Sequence, residues 1–440
     1  MLKAVYPPER DTNNRAFREA PREGHTAMDK QNTEHGLSSS FCWETLETWA
    51  RTQIQTWVQD LLEAEVAELL GRGKSQRRPV VDAPPGSRNG YGKPRRLTLS
   101  VGTITVRRPR VRGLEARFES RLLPLFVRQT PEVRALLPEL YLHGLAQGDL
   151  ALALRGLLGE GAPLSASTVA RLTAKWQGEY EGWNQRRLDD LEVVYVWVDG
   201  VYVKAGLEKD KAAVLVVLAG LSDGRKVLIA VRSGARESTE AWAALLRALR
   251  ARGLRAPRLA IGDGHLGIWS ALRDVYPETA EQRCWNHRIL NILDTLPTRI
   301  QPHAKGLLAA IAYAETREDA ERQKAVFHRW ATQRDHDDAA ARLDRDWDRF
   351  ITFYQFPKEH WTHLRTSNPV ESPFAALRLR TAAAKRFKKV GNATAIIWKL
   401  LLVAERRFRR LTAPERAQEV YLGVQFVNGV KVTNGQEVAA

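Results

Sequence analysis

Val193-Val-Tyr-Val-Trp-Val198 is an unbroken apolar run that leads directly into Asp199, and Arg258-Leu-Ala-Ile261 leads in the same way into Gly262-Asp263-Gly264. Short apolar runs rich in β-branched residues are typical of buried strands. The stretch between them predicts further strands and then an amphipathic helix, at Val201–Ala205, Ala213–Leu221, Lys226–Arg232 and Ser238–Arg252. We therefore expect an α/β domain in which two buried strands each end at a carboxylate.

The order of these elements narrows the fold class. Three successive strands, a helix and another strand is the order of a ribonuclease-H-like (retroviral-integrase-like) α/β core, with Lys226–Arg232 as a fourth candidate strand before the helix. From Trp285 to about Arg365 only helical periodicity is visible, broken at Pro297 and Pro357, which predicts an all-α insertion. A final long helix is expected over Phe374–Leu411, with Gly391-Asn392 as a candidate interruption.

The region before this core is predicted to be mostly helical, with one β-hairpin. Apolar positions at helical spacing predict a helix over Trp43–Leu70, and a Gly/Pro/Arg linker follows. Alternating apolar residues from Leu97 to Val106 predict a hairpin that turns at Gly102-Thr103. Pro131–Trp176 is helical again, and its second half, with Gly159, Gly161 and Ser165, has the pattern of a helix-turn-helix that any helical hairpin would share.

These patterns divide the chain into seven segments. We expect a disordered tail (1–40), an amino-terminal helix and linker (41–92), and a DNA-binding region with the hairpin and the helix-turn-helix (93–182). The core follows in two parts (183–283 and 365–412), separated by the helical insertion (284–364), and an exposed tail ends the chain (413–440). Met28 is a candidate translation start besides Met1.

Charge is the most informative bulk property of the chain. Lys and Arg number 68 against 51 Asp and Glu, which gives a formal net charge of +17. Such an excess favours a polyanionic partner, since neutralising phosphates releases condensed counterions. With two cysteines, no signal peptide and no apolar run of membrane-spanning length, we expect a cytoplasmic protein without a membrane partner.

The two carboxylates that follow strands are candidate ligands for metal ions. If these strands are neighbours in one sheet, Asp199 and Asp263 emerge at the sheet edge where ligands of α/β domains bind. Phosphodiester cleavage uses two divalent ions held by such carboxylates. The alternative is that each Asp-Gly pair merely forms a turn, since this dipeptide is common in turns.

Glu371 is the third candidate ligand, and it too has an alternative. In Ser367-Asn-Pro-Val-Glu371, Asn368 could cap a helix and Glu371 could be the capping-box glutamate. Residues 365–410, however, contain twelve Lys or Arg and only two acids, Glu371 and Glu405. A single acid at the start of a strongly basic segment suits a metal ligand beside bound DNA.

Cys284-Trp-Asn-His287 raises the question of zinc. A structural zinc ion needs four ligands, and no second Cys/His pair lies at the usual spacing, so we expect Cys284 and His287 to support the core. The basic side chains expected to contact DNA phosphates lie in the hairpin and in the carboxy-terminal segment, at Lys93, Arg95, Arg96, Arg107, Arg108, Arg110, Arg378, Arg380, Lys385, Arg386, Lys388 and Lys389.

Four stretches together resemble the signature of Mutator-type bacterial insertion-sequence transposases. They are Trp197–Lys204, Gly262–His265, Gln282–His287 and Arg365–Glu371, and the resemblance extends over about residues 43–410. It implies that Asp199, Asp263 and Glu371 are a DDE triad, that two Mg²⁺ ions (or Mn²⁺ as a substitute) are the cofactors, and that Cys284 and His287 support the core.

The resemblance also implies the activity and the partners. Such an enzyme binds the terminal inverted repeats of its element in double-stranded DNA, cuts there and joins the ends to target DNA, and bringing two ends together calls for at least a homodimer. In bacteria this places the chain at the nucleoid. Two other functions remain open: a domesticated DNA-binding regulator, and a ribonuclease-H-like structure-specific nuclease.

Overall fold

A computed structural model describes residues 43–78, 84–124, 127–143, 145, 152–155, 158, 166–205, 211–234, 238–264, 266–384, 387, 389–433 and 436–437. The chain divides into two compact units, Met1–Ala50 and Arg51–Ala440. Of the first unit, only the residues that begin helix α1 (Trp43–Leu70) are described. The turn of the predicted helix-turn-helix, including Gly159, Gly161 and Ser165, lies outside the described residues.

Four short strands follow α1: β1 (Ser87–Tyr91), β2 (Arg95–Leu99), β3 (Gly102–Val106) and β4 (Pro109–Arg112). The predicted hairpin is β2–β3, but Leu99 pairs with Gly102, so the turn lies at Ser100-Val101 and not at Gly102-Thr103. Strands β1 and β4 form a second antiparallel pair, which the sequence did not predict because β1 has no apolar alternation.

Helix α1 covers one face of this hairpin. Ile54, Val58 and Leu62 pack with Leu97 and Ile104. The side chains of two glutamines on α1 pair with the edge of β3, since the backbone N–H of Thr105 donates to Gln55 Oε1 and that of Arg107 donates to Gln59 Oε1, both at 2.9 Å. Hairpin and helix thus form one packed unit. Helices α2 (Pro131–Leu142) and α3 (Ala166–Gln185) follow, and α3 extends well beyond the predicted end at Trp176.

A five-stranded mixed sheet forms the centre of the second unit. It contains β5 (Val193–Lys204), β6 (Lys211–Leu221), β7 (Lys226–Gly234), β8 (Leu259–Gly262) and β9 (Ala280–Arg283), in the order β7-β6-β5-β8-β9. Strand β6 runs antiparallel to both β5 and β7, whereas β8 and β9 run parallel to β5.

Strand β5 corrects the prediction of two strands separated by an Asp-Gly turn. Asp199 pairs with Val216 and Gly200 with Leu215, without a register shift at either position. The dipeptide therefore keeps its register opposite β6, the backbone N–H of Gly200 donates to Asp199 Oδ1 at 2.7 Å, and the strand continues to Lys204. The interpretation of Asp199-Gly200 as a turn is wrong.

Both faces of the sheet are covered. Helices α4 (Thr239–Ala251) and α5 (Leu266–Val275) pack on one face, as the amphipathic pattern of Ser238–Arg252 predicts. The other face meets the helices that follow β9: α6 (Trp285–Leu293), α7 (Gln301–Ala312), α8 (Arg317–Thr332), α9 (Asp337–Asp344) and α10 (Trp361–Leu364), with short 3₁₀ turns between the last two. Residues 285–364 are all described and contain no strand, as predicted.

The carboxy-terminal part departs from the prediction in two places. In place of one long helix there are α11 (Asn368–Glu371), α12 (Phe374–Ala384) and α13 (Val390–Glu405), and Gly391-Asn392 lies in the first turn of α13, not at the break. Residues after Leu411 are not an exposed tail. Helix α14 (Pro414–Tyr421) is followed by β10 (Phe426–Val427), β11 (Val430–Thr433) and β12 (Gln436–Glu437), and Val420 and Phe426 are buried.

None of the helices in the described ranges is both long and apolar enough to cross a membrane.

Candidate active site

Asp199 lies within β5, and Asp263 comes directly after the end of the neighbouring parallel strand β8. Trp197 of β5 pairs with Ile261 of β8, and each acid follows two residues later. Trp197 and Ile261 both belong to the core between the sheet and the helices that follow β9. Because side chains alternate along a strand, Asp199 lies on the same face as Trp197, and Asp263 follows the end of β8 at the same level of the sheet. Both acids are only partly buried, although the strands that lead to them are fully buried.

The glycines beside Asp263 allow the chain to pass very close to its neighbours. A Cβ atom on Gly262 would lie 2.8 Å from Val198 Cγ2, and one on Gly264 would collide with Nη2 of Arg283. Arg283 ends β9, where it pairs in register with Gly262. Its buried guanidinium forms an ion pair with Asp346 of the helical region, so this arginine fixes the loop that carries Asp263.

Glu371 reaches the same face from the four-residue helix α11. This helix contacts β5 and β6, and fully buried Val370 anchors it. The Ser367 hydroxyl donates a hydrogen bond to Glu371 Oε1. Glu371 is therefore held on the sheet by a buried neighbour and oriented by a serine.

The capping interpretation of Glu371 is not supported. Helix α11 has Ser367 at its N-cap position, so Glu371 is the fourth helical residue and not the third that a capping box requires. The backbone N–H of Ser367, which a capping-box glutamate would accept from, donates instead to Cys284 Sγ at 3.3 Å.

Cys284 and His287 lie directly beside Glu371. Cys284 is buried at the N-cap of α6, and its backbone N–H donates to Gly262 O at 2.8 Å. His287 Nδ1 lies 3.8 Å from Glu371 Oε1. One ligand atom from each of Cys284, His287 and Glu371 falls within 4.8 Å of the other two. The two residues expected to support the core thus connect the end of β8 with α11.

The electrostatics of His287 show that two of the acids converge on it. Its close approach to Cys284 is the largest cause that raises the pKa of His287 to about 9; burial opposes the shift, and the charges of Cys284, Glu371 and Asp263 add to it. Asp263 also favours the charged form of Arg283, whose pKa burial lowers. Asp263 and Glu371 therefore act on the same imidazole, although they are far apart in sequence.

The basic residues expected to bind DNA differ in their exposure. Six are exposed: Lys93, Arg96, Arg107, Arg110, Arg378 and Lys389. Arg95 and Arg108 are partly buried, and Arg95 donates to Val127 O. Arg380 is buried: its guanidinium stacks 3.8 Å from the Tyr141 ring centroid and donates to Leu145 O, so it does not face a DNA surface and its assignment as a DNA contact is wrong. Lys385, Arg386 and Lys388 lie outside the described residues.

Sequence reasoning did not single out three residues that shape the site. Arg283, Asp346 and Ser367 hold the loop of Asp263 and the side chain of Glu371. Arg283 and Ser367 lie within Gln282–His287 and Arg365–Glu371, two of the four stretches that carry the family resemblance, and this position could have indicated them. Asp346 gives no such signal, because its partner lies far away in sequence.

Residues 29–409 match the family described as "Transposase, Mutator family". The transposase for insertion sequence element IS6120 of Mycolicibacterium smegmatis is 44% identical over 295 residues, which cover 67% of this chain and 90% of that protein. The transposase for insertion sequence element IST2 of Acidithiobacillus ferrooxidans is 40% identical over 280 residues, covering 63% and 94%.

Among solved structures, the Drosophila P element transposase strand transfer complex matches with 11% sequence identity and a TM-score of 0.28, over 64% of this chain and 82% of that chain. The family is shown by the sequence match, which extends over most of the chain and includes all three acids. The chain belongs to the Mutator family of transposases.

Proposed function

We propose that this chain is a DNA transposase of an insertion sequence, with Asp199, Asp263 and Glu371 as its DDE active site. The observation that carries the proposal is the placement of these acids: Asp199 and Asp263 each follow two residues after a paired position of β5 and β8, and Glu371 lies on a short helix that contacts β5 and β6. The enzyme would cleave phosphodiester bonds at the terminal inverted repeats of its element and join the 3′-hydroxyl ends to target DNA.

The sheet order supports a ribonuclease-H-like core. Three antiparallel strands are followed by two parallel ones, in the order β7-β6-β5-β8-β9, and an all-helical segment separates the second acid from the third. The segment boundaries given from the sequence are part of this proposal. The core would be residues 183–283 and 365–412, with the insertion between them.

The donor set fits divalent magnesium, with Mn²⁺ as a substitute. Three carboxylates supply the hard oxygen ligands that Mg²⁺ prefers, and all three are partly exposed, which leaves room for water and for phosphate oxygens. Two such ions, when bound, stabilise charge on the attacking and leaving oxygens of a phosphodiester displacement. Asp199, Asp263 and Glu371 together would hold these ions.

The protein residues around the acids restrict their motion. Asp199 lies within a paired strand, Gly262 and Gly264 let the Asp263 loop pass against β5 and Arg283, and Ser367 orients Glu371. Because these side chains are already held in place, they lose less conformational entropy when the reacting groups are brought together.

DNA binding is assigned in this proposal to the exposed cations of the hairpin and of the carboxy-terminal helices. Arg96 lies in β2, Arg107 directly follows β3, and Arg110 lies in β4. Arg378 lies within α12, and Lys389 directly precedes α13. Side chains of this type contact phosphates and position the duplex. End recognition would lie within residues 43–178, and synapsis of two ends would require at least a homodimer.

One experiment separates this function from the two alternatives. Full-length protein is incubated with labelled element-end DNA, a target plasmid and Mg²⁺, and the products are sequenced. Joined 3′ ends select a transposase, cleavage without joining selects a structure-specific nuclease, and binding without either selects a regulator. The outcome expected here is joined ends.

A further inference from the structure

We propose that Cys284, His287 and Glu371 form a binding site for a zinc ion, and that this site competes with the proposed magnesium site for Glu371. Zinc binding depends only on the three side chains. Competition with magnesium rests on the proposed function, because it requires Glu371 to bind magnesium during DNA cleavage.

The geometry of the cluster is close to that of a zinc site. Zinc–sulfur and zinc–nitrogen bonds of about 2.3 and 2.0 Å place tetrahedral ligand atoms roughly 3.3–3.8 Å apart. In this structure the ligand atoms of Cys284, His287 and Glu371 lie within 4.8 Å of one another, and His287 Nδ1 lies 3.8 Å from Glu371 Oε1. Small side-chain movements would bring all three to bonding distance.

The surroundings of the cluster suit a metal ion. His287 Nδ1 is buried and makes no hydrogen bond of ordinary geometry with the described residues, and the side chains of Cys284 and Glu371 lie against this imidazole. Cys284 Sγ accepts the backbone N–H of Ser367 at 3.3 Å, a contact that also stabilises a thiolate bound to metal. The backbones of Cys284 and Ser367 are fixed by α6 and α11, so the ligands are presented by ordered chain.

The ligand types select zinc over magnesium. Thiolate and imidazole bind zinc strongly, whereas magnesium takes oxygen ligands almost exclusively. Within the described residues the cluster has three ligands and not the four of a structural zinc site, so the fourth position is open. The Cys-x-x-His spacing alone supplies two ligands, and the third comes from the fold. We therefore expect an exchangeable ion, and not one that the fold needs.

Sharing of Glu371 gives the site a regulatory consequence. A zinc ion between Cys284, His287 and Glu371 would occupy a carboxylate oxygen of Glu371 that the proposed magnesium site needs. Zinc at micromolar concentration would then inhibit the magnesium-dependent reaction even when magnesium is present at millimolar concentration. Excess chelator for zinc would restore the activity.

The site is tested on the full-length chain after removal of metals, with Co²⁺ as a coloured substitute for zinc. Wild-type protein should bind one Co²⁺ with a near-ultraviolet thiolate-to-cobalt absorption band, and zinc should displace the cobalt. Cys284→Ser should abolish the band, and His287→Gln should weaken cobalt binding at least tenfold. Cys42→Ser is the matched control, since it removes the other cysteine, and should retain the band.

Circular dichroism of each variant shows whether it is folded, and His287→Gln decides the matter if Cys284→Ser does not fold. A folded wild-type protein without the absorption band overturns the inference, as does a band that survives Cys284→Ser. Zinc inhibition is then measured as a ratio to each protein's own zinc-free rate, and wild type should be inhibited at least tenfold more than His287→Gln. If cobalt binds as expected but no strand transfer occurs with magnesium, the zinc site stands and the proposed function fails.

Discussion

His287 Nδ1 lies 3.8 Å from Glu371 Oε1, and this contact joins the helix that begins just after β9 to the short helix that carries the third acid. Neither residue is near the other in sequence. The same imidazole is influenced by Asp263, so it marks the point at which the sheet and the carboxy-terminal helices meet. The placement of Glu371 therefore depends on side chains from both parts of the core.

Ser367→Ala should slow strand transfer while leaving end binding unchanged. The variant removes the hydroxyl that donates to Glu371 Oε1, and a hydrogen bond to a charged group contributes about 1.5–3 kcal/mol, so a loss of roughly 10- to 100-fold in rate is expected. Ser372→Ala, which alters an exposed serine next to Glu371, is the control and should be nearly silent. Equal rates for the two variants, measured in single-turnover strand-transfer assays, would remove Ser367 from the site.

Gly264→Ala should lower both stability and activity. The added methyl group would collide with the buried guanidinium of Arg283, which is fixed by Asp346 and cannot move away freely. A destabilisation of about 1–3 kcal/mol is expected from such overpacking, seen as a lower urea midpoint. Gly306→Ala is the matched control: this glycine lies in α7 with open space around its Cβ position, so alanine should stabilise by about 0.5–1 kcal/mol. A tolerated Gly264→Ala would show that the loop is free to shift.

Arg107→Ala and Arg380→Ala should fail in different ways, although both residues lie in basic segments. Arg107 is exposed, so its loss should weaken binding to DNA of any sequence and reduce the slope of log K against log salt by about 0.9. Arg380 is buried on Tyr141, so its loss should lower the unfolding midpoint and leave the salt slope unchanged. Salt titrations and urea denaturation of both variants distinguish the two roles. An altered salt slope for Arg380→Ala would place this residue on the DNA.

The sequence predicted the elements whose signal is local. The helix Trp43–Leu70, the strand after Ala213 and the amphipathic helix before Arg252 agree with the structure because each has a complete apolar period of its own. Strand β5 was divided wrongly at Asp199-Gly200. There the local preference of Asp-Gly for turns was overridden by pairing with β6, which a single sequence does not display.

The candidate site was predictable only in part. The two aspartates follow apolar runs in the sequence and are recognisable, whereas the position of Glu371 against Cys284 and His287 depends on how α11 packs on the sheet. Likewise, burial of Arg380 could not be foreseen from a basic segment in which most cations look alike. Contacts between side chains of distant segments cannot be predicted from a single sequence.

The most direct test is strand transfer by Glu371→Gln, compared with Asp199→Asn and Asp263→Asn. Each substitution retains shape and removes the charge that would hold divalent ions. All three variants should bind element-end DNA nearly as well as wild type, because affinity comes mainly from Lys and Arg contacts to phosphates. Each should lose cleavage and joining by at least a thousandfold, measured with Mg²⁺ on labelled ends. Near-normal joining by Glu371→Gln, with its end binding intact, would contradict the assignment of the third acid.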